Sequence, residues 1–233
     1  FGLVDPTAWP EDQLDWRTSP VDLSFLNARQ KPAGKHGFVQ ARGEQLVFED
    51  NTPVRFWGTN LSAYALFKSP DEEIAQQAKR LSALGFNLVR LHHHDSPWVS
   101  PNVFGDGTQV RDTQQLDAES MRKLDLWIKA LKDEGIYIWL DLHVQRALTA
   151  QDGIDDFGEL AKGQARVDLK GYAYVNASIQ QAMKHFAAQY LGHVNPLTGL
   201  AYKDDPAIAA ILLTNENDIT CLLYTSDAAD ERI

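Results

Sequence analysis

An apolar run, Ala-Ile-Ala-Ala-Ile-Leu-Leu at 207–213, follows the turn-forming Asp204-Asp205-Pro206 and becomes abruptly polar at Thr214-Asn215-Glu216-Asn217-Asp218. A continuous apolar run bounded by turn residues is how a parallel strand reads when both its faces are covered. Polar and acidic residues at the carboxyl end of such a strand lie where α/β barrels and open α/β sheets place their chemistry. The chain is therefore read as an α/β protein with a carboxylate, Glu216, at the mouth of a buried strand.

The same alternation runs backwards from there. Gly-Phe-Val-Gln-Ala at 37–41 and Gln-Leu-Val-Phe-Glu at 45–49 flank Arg42-Gly43-Glu44, a short hairpin signal. A strand is expected over 54–61. Ser69-Pro70-Asp71-Glu72 offers an N-cap, a first-turn proline and acidic residues for a helix to about Leu84, closed by Gly85. A second strand follows at 87–92. Asp117 opens a helix with apolar residues at Met121, Leu124, Ile128 and Leu131, closed by Gly135. Residues 136–143 form a third strand, and a helix near 172–191 precedes the fourth at 207–214. The stretch 144–170 is longer than an ordinary strand-to-helix connection, which fits either a loop lining a cleft or a disordered insertion.

Four strand–helix repeats imply a parallel sheet with right-handed crossovers. No glycine-rich phosphate loop follows any strand, which weighs against a nucleotide-binding open sheet and for the first half of an eight-stranded barrel. Residues 1–36, rich in Pro, Asp and Trp without sustained period, are expected to form an arm. Residues 37–220 are expected to form a partial barrel with strands one to four. After Thr220 the periodicity stops, and 221–231 looks like translated sequencing adapter. Residues 221–233 are accordingly set aside as a non-native tail.

Composition narrows the function classes. A net charge of −10 disfavours nucleic acid or an anionic membrane as partner and suits a neutral substrate. The one cysteine, Cys221, lies in the tail; a cysteine-free remainder is compatible with an extracytoplasmic setting. No apolar run approaches the ~20 residues of a membrane span, and the sequence contains no signal peptide.

Side chains alternate along a strand, so Arg90, His92 and His94 are expected on one face, Tyr137, Trp139, Asp141 and His143 on another, and Leu212, Thr214 and Glu216 on a third. Each strand thus delivers polar groups to its carboxyl end: Asn60; Arg90 with His92 and His94; Asp141 with His143; Asn215 with Glu216.

These residues resemble glycoside hydrolase family 5 and its relatives in the retaining clan A of (β/α)8 barrels. The resemblance covers about residues 37–219. It is carried by Val-Arg-Phe-Trp-Gly-Thr-Asn ending at Asn60, Gly-Phe-Asn-Leu-Val-Arg ending at Arg90, Gly-Ile-Tyr-Ile-Trp-Leu-Asp-Leu-His ending at His143, and Asn215-Glu216. It implies an O-glycosyl hydrolase acting on a β-linked polysaccharide or oligosaccharide, cellulase- or mannanase-like, with no cofactor, no metal and no protein partner, secreted or extracytoplasmic. Glu216, expected to be partly buried, would be the acid/base. Asn215 would partner the sugar 2-hydroxyl, and Arg90 and His143 would support the active site. Asn60, His92, His94, Trp98 and Asp141 would contact substrate. Asn217 stands where family members often carry proline.

Retaining cleavage needs two carboxyl groups about 5 Å apart, one to protonate the leaving oxygen and one to attack the anomeric carbon. In this clan the second comes from strand seven, so a chain with four strands is expected not to turn over substrate. Two other readings stand beside this one. His92, His94 and His143 would suit a metal-dependent barrel hydrolase, since imidazoles at such spacing bind zinc. A non-catalytic carbohydrate-binding barrel would keep the same strand ends without the nucleophile.

Overall fold

The computed structural model describes residues 21–107, 112–168 and 170–217; the first twenty residues of the arm expected over 1–36 and the tail over 221–233 lie outside them. An antiparallel hairpin, β1 (Val39–Arg42) and β2 (Gln45–Phe48), leads into the main sheet. That sheet has four parallel strands: β3 (Gly58–Ser62), β4 (Leu88–His92), β5 (Tyr137–His143) and β10 (Ile208–Thr214). They lie side by side in chain order, each hydrogen-bonded to the next. A doubly wound sheet reverses its strand order at a switch point. A sheet that adds each strand beside the last is the progression of a (β/α)8 barrel. Among the described residues the barrel is not closed.

Two helices cover the back of the sheet. Helix α2 (Asp71–Ala83) follows a one-turn α1 (Tyr64–Lys68), and α3 (Ala118–Asp133) is capped by the Asp117 carboxylate, which accepts from the Ser120 amide at 2.8 Å. Leu124, Trp127, Ile128 and Leu131 of α3 are buried against Val89, Leu91, Ile138 and Leu140 of the strands in one hydrophobic cluster. The expected N-cap at Ser69 does not form. Its hydroxyl donates to the Ala65 carbonyl at 2.8 Å, closing α1, and α2 begins after Pro70.

The first strand of the sheet is shorter than the sequence predicts. Residues 54–57 are held by other partners: Val54 donates to the Leu46 carbonyl, and the Asn87 side chain accepts from the Trp57 amide at 2.7 Å and donates to the Arg55 carbonyl at 2.8 Å. With backbone groups satisfied this way, ladder pairing starts only at Gly58.

The long connection after β5 is folded. Strands β6 (Ala147–Thr149) and β7 (Arg166–Asp168) pair antiparallel around a short α4 (Phe157–Ala161). Leu148, Ile154 and Ile179 form a small core of their own beneath them. Helix α5 (Ala177–Gly192) starts later than predicted because Asn176 caps it, accepting from the Ile179 amide at 3.0 Å. A short hairpin of two-residue strands, β8 (Val194–Asn195) and β9 (Leu200–Ala201), which the sequence does not signal, then returns the chain to β10.

The amino ends of the strands are covered by the segment preceding the sheet. Phe48 stacks on Tyr137 at 5.1 Å, and Ala33 donates to the Lys132 carbonyl at 2.8 Å. Gly34 and Gly135 both have positive φ and sit where a Cβ would come within 2.8 Å of the Ala207 amide and the Asn27 carbonyl respectively. Only glycine meets both demands.

Candidate active site

The carboxyl ends of β4, β5 and β10 are joined by one polar network. Arg90 Nε donates to both oxygens of Asp141, at 3.0 and 2.9 Å, and its Nη2 donates to Asn215 Oδ1 at 2.8 Å. His92 Nδ1 lies 2.6 Å from Asp141 Oδ2. The Asn215 amide donates to the His143 carbonyl at 2.8 Å, continuing the β5–β10 ladder one residue past the strand. Asp141 is 0% exposed. A buried carboxylate is stable only when paired and hydrogen-bonded, and Asp141 has both. It is fully buried and holds Arg90 and His92 from within, whereas the sequence predicts an open position in contact with substrate. Asn60 is exposed and sits in register with Arg90 at the next strand.

Three of the four strands end on a non-glycine residue with positive φ: Ala63 (54°) after β3, His93 (55°) after β4 and Glu216 (49°) after β10. Such conformations cost of the order of 1–3 kcal/mol and persist where the surroundings impose them. They also break the alternation that the sequence reading extended past the strand ends. Glu216 therefore does not continue the face of Leu212 and Thr214. Its side chain is 81% exposed on the rim, not partly buried, and its carboxylate lies 3.7 Å from Lys170 Nζ.

The break at His93 separates His94 from Arg90 and His92. His94 is fully buried and stacks on Tyr190 of α5 at 5.2 Å and 7°. Neither of its ring nitrogens has a hydrogen bond of good geometry, and burial holds its pKa below the ordinary value. The sequence predicts it at the open strand ends, and the structure buries it instead. His143, also expected beside Asp141, packs on Phe186 at 5.1 Å and borders a small pocket with Lys170, Asn215 and Asn217. Burial pushes its pKa down to about 4, with Arg146 and His94 acting the same way and Asp95 opposing. The metal reading needed His92, His94 and His143 to converge. One is tied to Asp141 and two face α5, and among the described residues no group of three or more His, Cys, Asp or Glu side chains is arranged to hold a metal ion.

Trp98, from the loop after β4, is 48% exposed. Its Nε1 donates to Gln145 Oε1 at 2.8 Å, its carbonyl accepts from the Tyr64 hydroxyl at 2.7 Å, and its ring lies 4.9 Å from that of His93. Asp95, buried, accepts from the Val144 and Gln145 amides at 2.9 and 3.1 Å and so locks the loop after β5 to the loop after β4. Sequence reasoning missed Asp95, Gln145 and Lys170. Asp95 had a visible signal, an acidic residue directly after His94, whereas Gln145 and Lys170 reach the rim only through loop geometry.

Comparison with known proteins supports the fold and places it in a family. The family model described as Cellulase (glycosyl hydrolase family 5) matches residues 47–197. Mannan endo-1,4-beta-mannosidase 4 of Oryza sativa subsp. japonica is 29% identical over 77% of this chain and 38% of its own length. Mannan endo-1,4-beta-mannosidase 1 of Arabidopsis thaliana is 25% identical over 90% of this chain and 50% of its own. The chain thus spans half or less of these relatives. Among solved structures, a glycoside hydrolase family 5 mannosidase from Rhizomucor miehei superposes with a TM-score of 0.61 at 13% identity, covering 78% of this chain and 49% of that one. An endo-1,4-beta-mannanase from the same organism gives 0.57 at 23% identity, over 77% and 48%.

Proposed function

The chain belongs to glycosyl hydrolase family 5, and on that premise we propose that it carries the acid/base half of a retaining glycoside hydrolase acting on a β-linked, mannan-type polysaccharide or oligosaccharide. The observation that carries the proposal is the network Arg90–Asp141–His92–Asn215 with Glu216 next in the chain. It presents a neutral amide at fixed position beside a solvent-exposed carboxyl side chain at the open end of a parallel sheet. Asn215 accepts from Arg90 through Oδ1, which leaves its Nδ2 donors for a sugar hydroxyl. Glu216, on the rim, reaches a glycosidic oxygen held above the strand ends. The partner carboxylate is assigned to strand seven of a closed barrel, and the described sheet carries four strands. The mannan preference is drawn from the names of the relatives. A polymeric substrate of this kind cannot cross a membrane intact, which favours an extracytoplasmic setting; no helix among the described residues is long and apolar enough to span a membrane.

The test is Glu216→Gln in a protein in which this sheet is closed to eight strands. The substitution removes the proton donor and leaves attack by the other carboxylate intact. Hydrolysis of oligosaccharides, whose leaving groups need protonation, should fall by about 10²–10⁴-fold, and activated aryl glycosides far less. Azide should restore turnover of the activated substrates by attacking the glycosyl-enzyme without base assistance. Equal losses for all leaving groups, with no azide effect, would remove Glu216 from this role.

A further inference from the structure

Asn217 is the one departure from the family pattern noted in the sequence, and the structure gives it a specific task. Its Oδ1 accepts from the Gly171 amide at 3.0 Å, and its carbonyl accepts from the Tyr174 hydroxyl at 2.6 Å. Both partners belong to the excursion between β5 and α5. A proline at 217 would have no side-chain acceptor for the first of these bonds. Asn217 therefore docks the excursion against the end of β10, immediately beside Glu216.

The docking brings two groups to the site. Lys170, adjacent to the anchored Gly171, has a side chain only 19% exposed, yet its ammonium stands 3.7 Å from the exposed Glu216 carboxylate. It also borders the pocket shared by His143 and Asn215. Tyr174 is the reverse case: its hydroxyl is tied down and its side chain is left 58% exposed. A buried stem with a three-donor head at a pocket and a fixed, exposed aromatic ring are the two contacts a sugar ring uses, hydroxyl acceptance on its edge and stacking on its apolar face. An ion pair at 3.7 Å with a largely exposed carboxylate contributes little by itself, so the position of Lys170 is not explained by that pair.

We propose that Lys170 and Tyr174, anchored by Asn217, form a saccharide subsite next to the one at Asn215, with Lys170 donating to sugar hydroxyls and Tyr174 stacking on the ring. The subsite rests on the functional reading above, because it takes a neighbouring unit of the same β-linked chain. Lys170 is a binding residue here and takes no part in bond cleavage.

The experiment is a titration of the 15N-labelled chain with β-1,4-linked mannotetraose, followed through backbone amide signals. The Gly171 and Tyr174 amides should shift with the same apparent Kd as that of Asn215. Lys170→Met, which keeps the apolar stem, should weaken binding about tenfold, and Lys170→Arg, which keeps charge and donors, should recover most of the loss. Tyr174→Leu provides an independent variant with an intact Lys170 and should also weaken binding. A shift at Asn215 with Gly171 and Tyr174 unmoved, or unchanged affinity in both Lys170→Met and Tyr174→Leu, would overturn the subsite and leave the reading of Asn215 and Glu216 in place. No shift at any of the three amides at millimolar sugar would overturn both.

Discussion

Arg90, on β4, and Asn215, one residue past the end of β10, belong to strands that are not neighbours, and a 2.8 Å hydrogen bond joins them across the intervening β5. The bond is possible because Asp141, on β5, holds the same guanidinium from below through two contacts to Nε. The position of the amide proposed to meet a sugar is thus set by a fully buried carboxylate.

Removing that carboxylate should be costly to the fold. Asp141→Ala leaves a partly buried Arg90 without its counter-charge, a change that typically costs about 3–5 kcal/mol. Urea unfolding at low protein concentration measures it. In a double-mutant cycle with Arg90→Ala, the combined loss should fall short of the sum of the two single losses. Additive losses would mean that the pair is not a unit.

Stability should fall on mild acidification. His143 titrates normally near 6.5, and burial lowers that to about 4 in the folded protein. The unfolded chain takes up a proton that the folded chain resists. The His143 contribution is therefore fully present above pH 6.5 and is lost progressively as the pH falls toward 4, by about 3 kcal/mol in all. His94, with a pKa lowered by burial, acts in the same direction. His143→Gln should flatten the fall in melting temperature across that window. A slope identical to that of the parent would show that His143 is not the responsible group.

Gln145 should matter for sugar binding without mattering much for stability. It holds the Trp98 indole by a single hydrogen bond on a half-exposed surface, worth about 1 kcal/mol to the fold. Gln145→Ala should lower affinity for β-linked oligosaccharides several-fold through a less ordered Trp98 and leave the unfolding midpoint nearly unchanged. Titration calorimetry with the parent and the variant separates the two effects, and an unaltered affinity would show that Trp98 needs no support from Gln145.

The outer edge of β10 should promote association. Among the described residues it pairs with β5 alone, and Ile211 and Leu213 are exposed on it, Leu213 at 68%. A parallel strand of this kind with an open edge templates pairing with other chains. Light scattering should show concentration-dependent oligomers that Leu213→Lys reduces. A monodisperse monomer at high concentration would contradict this.

The strand–helix alternation and the polar strand ends were legible in the sequence because both follow from short-range regularities, whereas the order of the strands in the sheet is a long-range property that pattern does not carry. Apolar runs of strand length alternate with helices whose stops are Gly85 and Gly135, and a parallel sheet places its polar residues at one end. What was not legible lies just past the strands. The two-residue period was extended through His94 and through Glu216, but backbone turns at His93 and Glu216 itself end it. No local signal in His-His-His distinguishes the imidazole at the sheet from the one stacked on Tyr190. The position of Lys170 depends on 46 residues of separation between Gly171 and Asn217, a contact that pattern does not encode. Ser69 failed as a cap for a similar reason, since its hydroxyl found an acceptor one turn back.

The seal that Phe48, Ala33 and the glycines at 34 and 135 make beneath the strands has a directional consequence. A parallel sheet has two ends, and a polymer threading between its strands would need both. With the amino ends stoppered, an extended ligand of the kind proposed above would lie across the carboxyl ends, in contact with successive loops along its length. Recognition then becomes a matter of how many loops are raised to that surface, and sequence change in the loops can retune it without disturbing a single strand.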